Sequence, residues 1–177
     1  MKKTLLVGAL TLVAASALAA ESVKVTVGHL CCGGCKNAAS AGLKNIAWID
    51  TSTTEGSDTI VVNAKSDMKV ELVSLIDALN KAGFPARQIN VAGPVTMTIA
   101  HLCCGGCVND LKTKIGNVRS EVLDKTNVKI DQAAKTLTLQ PVAGKELNVA
   151  SLVRSLQNQG FYPASITVSA ATKSARR

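Results

Sequence analysis

Apolar and polar residues alternate with a period of two in several short stretches of this chain, a pattern that predicts β-strands. Two of these stretches, SVKVTVGHL and PVTMTIAHL, run directly into the same seven letters, HLCCGGC, at His29–Cys35 and again at His101–Cys107. Further strands are predicted at DTIVVNA and ARQINV, and at TLTLQPV and PASITV. One strand therefore leads into each cluster of cysteines.

Apolar residues at helical spacing follow each heptapeptide, so the cysteines are predicted to lie where a strand passes into a helix. Each half of the chain also has a second apolar stripe, repeated 77 residues further on, that predicts a second helix ending at Gly83 or Gly160. The first helices carry Ala39, Gly42, Leu43 and Ile46, or Val108, Leu111, Ile115 and Val118; the second helices carry Leu72, Leu75, Ile76 and Leu79, or Val149, Leu152, Val153 and Leu156.

The order of predicted elements is the same in both halves and gives an internal repeat. With AWIDTST and NVKIDQ as the remaining strands, each half is a β-α-β-β-α-β unit of the ferredoxin-like, split βαβ type, in the α+β class. We predict unit one at residues 21–92 and unit two at 94–170, with a short join at Ala92-Gly93-Pro94. The residues RSEVLDKT of unit two have no counterpart in unit one and no predicted conformation.

The first 20 residues have the pattern of a secretory signal peptide. Two lysines precede an apolar run over residues 5–15, which is too short to span a bilayer, and small residues follow it. We expect cleavage after Ala19 or Ala20, which would give a soluble protein that is periplasmic or secreted and is not inserted in a membrane. An uncleaved N-terminal anchor is the alternative.

The charge and the aromatic content of the chain exclude one class of partner. The formal net charge of +8 falls to about +6 without the two signal-peptide lysines, and it is spread over the surface apart from a basic tail at residues 171–177. The chain has one Trp, one Tyr and two Phe, so it lacks the aromatic side chains on which single-stranded nucleic acid stacks. Nucleic acid is therefore not an expected partner.

All six cysteines lie within the two heptapeptides. An exported disulfide scaffold would distribute its cysteines over the fold in order to close long loops. Two tight clusters instead favour a metal site or a redox pair.

The spacing of the cysteines at the start of a helix is suited to soft metals. Cysteines at i and i+3, such as Cys32 and Cys35, lie on one face of a helix, and the partial positive charge of the helix N-terminus stabilises their thiolates. Thiolates prefer Cu(I), Zn(II) and heavier thiophilic ions. We expect Gly33 and Gly34 to let the backbone turn tightly and to leave the sulfurs accessible. Because a closed structural zinc site needs four ligands, an open site of this kind suits a metal that is handed on.

A β-α-β-β-α-β unit with C-x-x-C at the end of its first strand resembles the heavy-metal-associated domain of copper chaperones, periplasmic mercury-binding proteins and metal-transporting ATPases. The resemblance covers the mature chain twice. It implies Cu(I) as the foremost cargo, with Hg(II) or Zn(II) as alternatives, and a metal-transporting membrane protein as partner. The implied metal ligands are Cys32 and Cys35 in unit one and Cys104 and Cys107 in unit two.

The resemblance also indicates which residues lie near the metal, and it shows where this sequence differs from the family pattern. Leu30 and Leu102 stand where the family usually has a Met that packs beneath the loop, and Phe84 and Phe161 stand where bacterial members often carry Tyr. The departures are Cys31 and Cys103, at a variable position of the family, and His29 and His101, where the family usually has Gly.

The additional cysteines and the histidines each allow two interpretations, and so do the aromatic residues near the clusters. Cys31 and Cys103 are either packed as small apolar residues or act as a third ligand or redox partner in each unit. His29 and His101 continue the phase of the apolar strand face, which favours a hydrogen-bonded residue at the edge of the core over a metal ligand. Phe84, Phe161 and Tyr162 are predicted to cover the core instead of contacting metal.

Two functions therefore remain open at this point. The first is a soft-metal-binding protein that sequesters or carries its cargo and is not an enzyme. The second is a thiol-disulfide redox protein that uses the same C-x-x-C pairs, since a C-x-x-C at a helix start is also the redox arrangement. A simple disulfide within each unit is a further alternative for Cys32, Cys35, Cys104 and Cys107.

Overall fold

The computed structural model describes residues 21–66, 68–116 and 122–169, so the signal peptide, the basic tail and Val118 lie outside the described residues. Both units follow the same order of elements. Unit one contains β1 (Ser22–Val27), α1 (Gly33–Leu43), β2 (Ile49–Glu55), β3 (Thr59–Ala64), β4 (Val70–Glu71), α2 (Leu72–Lys81) and β5 (Ala86–Val91). Unit two contains β6 (Val95–Ile99), α3 (Gly105–Gly116), β7 (Leu123–Asp131), β8 (Thr136–Pro141), β9 (Leu147–Asn148), α4 (Val149–Gln157) and β10 (Pro163–Val168).

Each unit has an antiparallel sheet with the strand order of a ferredoxin-like fold. The order is β2-β3-β1-β5 in unit one and β7-β8-β6-β10 in unit two, so the strand that leads into the cysteines is central in both. In unit one it pairs with β3 from Ser22 opposite Asn63 to Thr26 opposite Thr59. The predicted α+β class and the ferredoxin-like fold are therefore confirmed.

The second helix of each unit is fixed at both ends by local hydrogen bonds. At the start of α2, the Glu71 carboxylate accepts hydrogen bonds from the backbone N–H groups of Val73 (3.1 Å) and Ser74 (2.7 Å). At its end, Gly83 has a φ of +86°, and the following Phe84 N–H donates to the carbonyl of Leu79 at 2.8 Å. These are the bonds of a left-handed helix cap. Gly160 repeats the cap after α4, with a φ of +86° as well, as the sequence predicted.

The core lies between the helices and the inner faces of the sheets. Alternate strand residues and the helix stripes point into it, which is why the period-two and helical patterns located the elements correctly. Its largest fully buried side chains include Leu43, Leu75, Ile89, Met97 and Leu137. Apolar burial of this extent supplies most of the favourable free energy of folding.

Two strands were not predicted from the sequence. β4 and β9 are each only two residues long, and each pairs with the other unit: β4 with β10, and β9 with β5. Each sheet thereby gains a fifth strand. A two-residue segment is too short to show a period, so no local pattern could have indicated these pairings.

Some boundaries also differ from the expectation. Helix α1 ends at Leu43, so Ile46 lies beyond it, although Ile46 still packs against the core. Strand β7 begins at Leu123 and includes part of the segment whose conformation had no prediction, with an irregular register between Leu123 and Val128. Within the described part of the chain, no helix is long and apolar enough to cross a membrane.

Candidate metal centre

The cysteines of each unit lie on an exposed loop between the central strand and the first helix. After β1 ends at Val27, the backbone N–H of Leu30 donates to the carbonyl of Ser57 at 2.6 Å, and the Leu30 side chain is buried. Cys31 and Cys32 follow on the surface, and α1 begins directly afterwards with Cys32 at the N-cap position, in an extended conformation. The fold therefore anchors the loop through Leu30 and leaves the thiols accessible.

Unit two builds the same loop with the same residue types. Leu102 is fully buried, Cys103 and Cys104 are exposed, and Cys107 is partly buried on the first turn of α3. The amide of Gln132 adds a contact that reaches the carbonyl of Cys103 at 3.4 Å. The expectation that Leu30 and Leu102 pack beneath the loops is confirmed by their burial.

Three thiols converge in each unit. The Sγ atom of Cys35 lies 3.5 Å from that of Cys32 and 3.8 Å from that of Cys31. In unit two, the Cys107 sulfur lies 3.0 Å from that of Cys104 and 4.0 Å from that of Cys103. All three sulfurs of each group lie within 4.8 Å of one another. Cys31 and Cys103 therefore point to their clusters and are not packed as small apolar residues.

The six cysteines are free thiols in this structure, so the alternative of a simple disulfide in each unit is not observed. Cys31, Cys32, Cys103 and Cys104 are exposed, and Cys35 and Cys107 are partly buried. Each cluster can thus be reached from solvent by a metal ion or by a thiol of another molecule.

The thiols of one cluster differ in acidity. Hydrogen bonds of the Cys32 sulfur with the backbone N–H of Cys35, with the Cys35 thiol and with the N–H of Gly34 lower the pKa of Cys32 below its ordinary value. The hydrogen bond between the two thiols raises the pKa of Cys35, and the hydrogen bond with the Cys31 thiol adds to the effect. In unit two, hydrogen bonds from the Cys107 thiol and backbone lower the pKa of Cys104, while the pKa of Cys107 is raised. The N-cap cysteine is therefore the more acidic member of each C-x-x-C pair.

The sulfur spacing can be compared with the geometry of metal thiolates. With a metal–sulfur bond of about 2.3 Å, sulfurs lie about 4.0 Å apart around a planar three-coordinate ion and about 4.6 Å apart across a linear two-coordinate ion. The four separations given above, 3.5, 3.8, 3.0 and 4.0 Å, are all nearer to the three-coordinate value. The three sulfurs of each cluster therefore lie close enough together to hold one soft ion.

The two histidines do not lie where the strand phase predicted. Because β1 and β6 end at Val27 and Ile99, the chain turns before His29 and His101, and the buried position is taken by the leucine that follows each histidine. Both histidines are exposed, so the interpretation as residues at the edge of the core is wrong. The His29 ring lies 5.6 Å from the ring of Phe84, and neither histidine belongs to the sulfur groups that the described residues form.

The aromatic residues divide into two groups. Phe84 and Phe161 are 5% and 4% exposed and cover the core, as predicted. Tyr162 is 63% exposed, so the prediction that it covers the core is wrong. Its backbone lies just before β10, where Phe161 already occupies the inner position.

The glycines of the heptapeptide keep the sulfurs accessible, as expected. Positive φ angles occur at Gly56, Gly83, Gly144 and Gly160 among the described glycines, and Gly33 and Gly34 begin α1 without one. A Cβ atom on Gly34 would stand 3.7 Å from the Cys32 sulfur. The two glycines therefore leave open space beside the sulfurs and begin the helix without a positive φ.

The chain was compared with known proteins. No protein-family model matches it, and no curated protein sequence matches it. A solution structure of the N-terminal soluble domains of Bacillus subtilis CopA is 14% identical with a TM-score of 0.32, covering 82% of this chain and 93% of that one. A structure of the water-soluble region of the P-type ATPase CopA from Bacillus subtilis is 12% identical with a TM-score of 0.34, covering 89% and 97%. Because these sequence identities and TM-scores are low, the assignment of the fold and of the site is based on the residues of this chain alone.

Proposed function

We propose that this chain is an exported soft-metal-binding protein that holds one ion, foremost Cu(I), in each of its two three-thiol clusters. The observation that carries the proposal is the convergence of Cys31, Cys32 and Cys35 on one point, repeated by the corresponding cysteines of unit two. A third sulfur within reach of each C-x-x-C pair has no role in packing, because Cys31 and Cys103 are exposed.

The chemistry of the donors selects the class of metal. Sulfur-only clusters favour Cu(I) and other thiophilic ions such as Hg(II) over hard ions such as Ca²⁺ and Mg²⁺. Three sulfurs leave Zn(II) one ligand short of its usual closed tetrahedral site, so Zn(II) ranks below Cu(I). Three thiolates also hold an ion more firmly than two, which favours sequestration over rapid delivery.

The remaining expectations belong to the same proposal. The ligand assignment to Cys32, Cys35, Cys104 and Cys107 and the signal-peptide interpretation support an exported metal-binding protein, whose expected partner is a metal-transporting membrane protein. The proposal treats the protein as a binder and not as an enzyme. The histidines would at most approach the metal from outside the sulfur cluster.

The first test counts metal ions. Reduced mature protein, prepared without oxygen, should bind two equivalents of Cu(I) in competition with a chromophoric Cu(I) chelator. The double substitution Cys32→Ser, Cys35→Ser should halve the number of bound Cu(I) ions, because it removes the cluster of unit one only. The matched exchange Cys104→Ser, Cys107→Ser should do the same for unit two. Full capacity in either variant would show that the ligand assignment is wrong.

A thiol-disulfide redox function is the second candidate, and the acidity difference within each C-x-x-C pair favours it. A lowered pKa at Cys32 beside a raised one at Cys35 is the arrangement of an attacking and a resolving thiol. Metal-free protein should nevertheless reduce insulin disulfides far more slowly than a thioredoxin-like enzyme. A comparable rate would rank the redox function first.

A further inference from the structure

The short strands β4 and β9 connect the two units in a reciprocal way. Val70 and Glu71 of unit one pair with Val168 and Thr167 at the end of β10. Leu147 and Asn148 of unit two pair in the same manner with Val91 and Asn90 at the end of β5. Each unit therefore supplies the outermost strand of the other unit's sheet.

The side chains of these exchanged strands are part of the core. Val70 and Val168 are fully buried, Val91 is 1% exposed and Leu147 is 4% exposed. They belong to one continuous group of buried apolar residues that extends through both units. Separating the units would expose this apolar surface to water and leave the ends of β5 and β10 without their backbone partners, and both changes cost free energy.

Helices and the connecting segment strengthen the same contact. Helix α4 packs against β5 and α2 packs against β10, and the guanidinium of Arg154 donates to the carbonyl of Arg87 at 3.3 Å. The backbone N–H of Gly93 donates to the buried Glu21 carboxylate at 3.2 Å. The connection between the units is therefore held within the structure and does not act as a free linker.

We propose that the two units form one interlocked body that unfolds as a whole, so that metal bound by one cluster stabilises both units. The second half of this statement rests on the proposed function, whereas the first half depends only on the exchanged strands. A ligand that binds only the folded state stabilises everything that unfolds together with its site. Each cluster binds its own metal ion, and the stabilisation that this binding provides is shared by both units because they unfold together.

Trp48 offers a selective measurement, because it is the only tryptophan of the chain and lies in unit one. It is 5% exposed, and its indole N–H donates to the Ser74 hydroxyl at 3.2 Å, so its fluorescence reports the unfolding of unit one. Leu139, a fully buried residue of β8, is a suitable site for weakening unit two. Val62 of β3 is also fully buried and provides the matched exchange in unit one.

The experiment compares urea unfolding of metal-free Leu139→Ala, Val62→Ala and wild-type protein. Removing buried methyl groups in either unit should move the Trp48 midpoint downward, by about 1 M urea for Leu139→Ala, in a single transition that coincides with circular dichroism. A Trp48 midpoint unchanged by Leu139→Ala, with a separate transition for unit two, would overturn the proposal. If Leu139→Ala does not fold, the smaller exchange Leu139→Val makes the same comparison.

A second arm uses metal in the full chain. The triple exchange Cys31→Ser, Cys32→Ser, Cys35→Ser leaves only the cluster of unit two. At free Cu(I) about 100 times the dissociation constant, its unfolding equilibrium constant measured at Trp48 should fall about 100-fold. Bound Cu(I) with no change at Trp48 would contradict the coupling. Absence of Cu(I) binding would contradict the proposed function instead, and the first arm would still decide whether the units are interlocked.

Discussion

The third cysteine of each unit is the residue that separates these clusters from a simple C-x-x-C pair. Cys31 lies 3.8 Å from Cys35 and Cys103 lies 4.0 Å from Cys107, measured between sulfurs. The exchange Cys31→Ser, Cys103→Ser should keep two Cu(I) per chain but weaken each site by about tenfold or more, which corresponds to about 1.4 kcal/mol. Chelator competition measures both quantities. If stoichiometry and affinity are both unchanged, the third thiol takes no part in binding.

The acidity of the thiols gives a second prediction for single residues. Because hydrogen bonds lower the pKa of Cys32 and Cys104 and raise that of Cys35 and Cys107, the first pair holds more thiolate at neutral pH. Iodoacetamide should therefore label Cys32 before Cys35, and Cys104 before Cys107, in reduced, metal-free protein. The difference should shrink as the pH rises above the ordinary thiol pKa of about 8.5. Peptide mass spectrometry follows the order, and urea-unfolded protein should show none.

Single residues also show where reasoning from the sequence was sound and where it was not. The cysteine clusters, the buried Leu30 and the lid formed by Phe84 followed from spacing and resemblance. The position of His29 was predicted wrongly, because the alternation of buried and exposed residues was assumed to continue for two residues beyond Val27, where β1 ends. Strand ends depend on tertiary hydrogen bonds, here from Leu30 to Ser57, that a local pattern does not contain.

Among the elements, those with a long apolar period were predicted well, and those without one were missed. Helix α2 runs over Leu72–Lys81, with the predicted stripe facing the core. Strands β4 and β9 escaped prediction because their pairing joins residues far apart in the chain, such as Val91 and Leu147. The repeat of the sequence is visible locally, whereas the contact between the two copies is not.

The helix caps allow a test at the level of the elements. Gly83 and Gly160 each have a φ of +86°, which side-chain-bearing residues adopt only with strain, so Gly83→Ala or Gly160→Ala should each lower the free energy of unfolding by about 1 kcal/mol. Gly116 at the end of α3 provides the control. It lacks a positive φ and has open space around its Cα, so Gly116→Ala should be neutral or stabilising. Urea unfolding compares the three, and equal effects would show that cap strain is not responsible.

On the scale of the whole molecule, the edge strands that each unit supplies to the other join the two copies of the repeat into one structure. A lone ferredoxin-like unit would expose the outer edge of β5, which is a template for unwanted pairing. Here the end of that edge is covered by Leu147 and Asn148 of the second unit. The duplication therefore provides two thiol clusters and also covers the end of one sheet edge in each unit, at β5 and at β10.

The free energy of unfolding should be especially sensitive to the addition of a single methyl group at Gly93, in the segment between the units. A Cβ atom on Gly93 would collide with the carbonyl oxygen of Ser169 and stand 2.8 Å from the carboxylate of Glu21. Gly93→Ala should therefore force the start of unit one and the end of unit two apart and cost about 1–3 kcal/mol of unfolding free energy. Because the clusters lie at the other ends of the central strands, Cu(I) stoichiometry should stay at two.

Gly33→Ala is the control for the added methyl group in the unfolding measurement, because Gly33 has open space around it. A flexible connection between independent units would accept Gly93→Ala without loss, and that result would refute the interlocked arrangement.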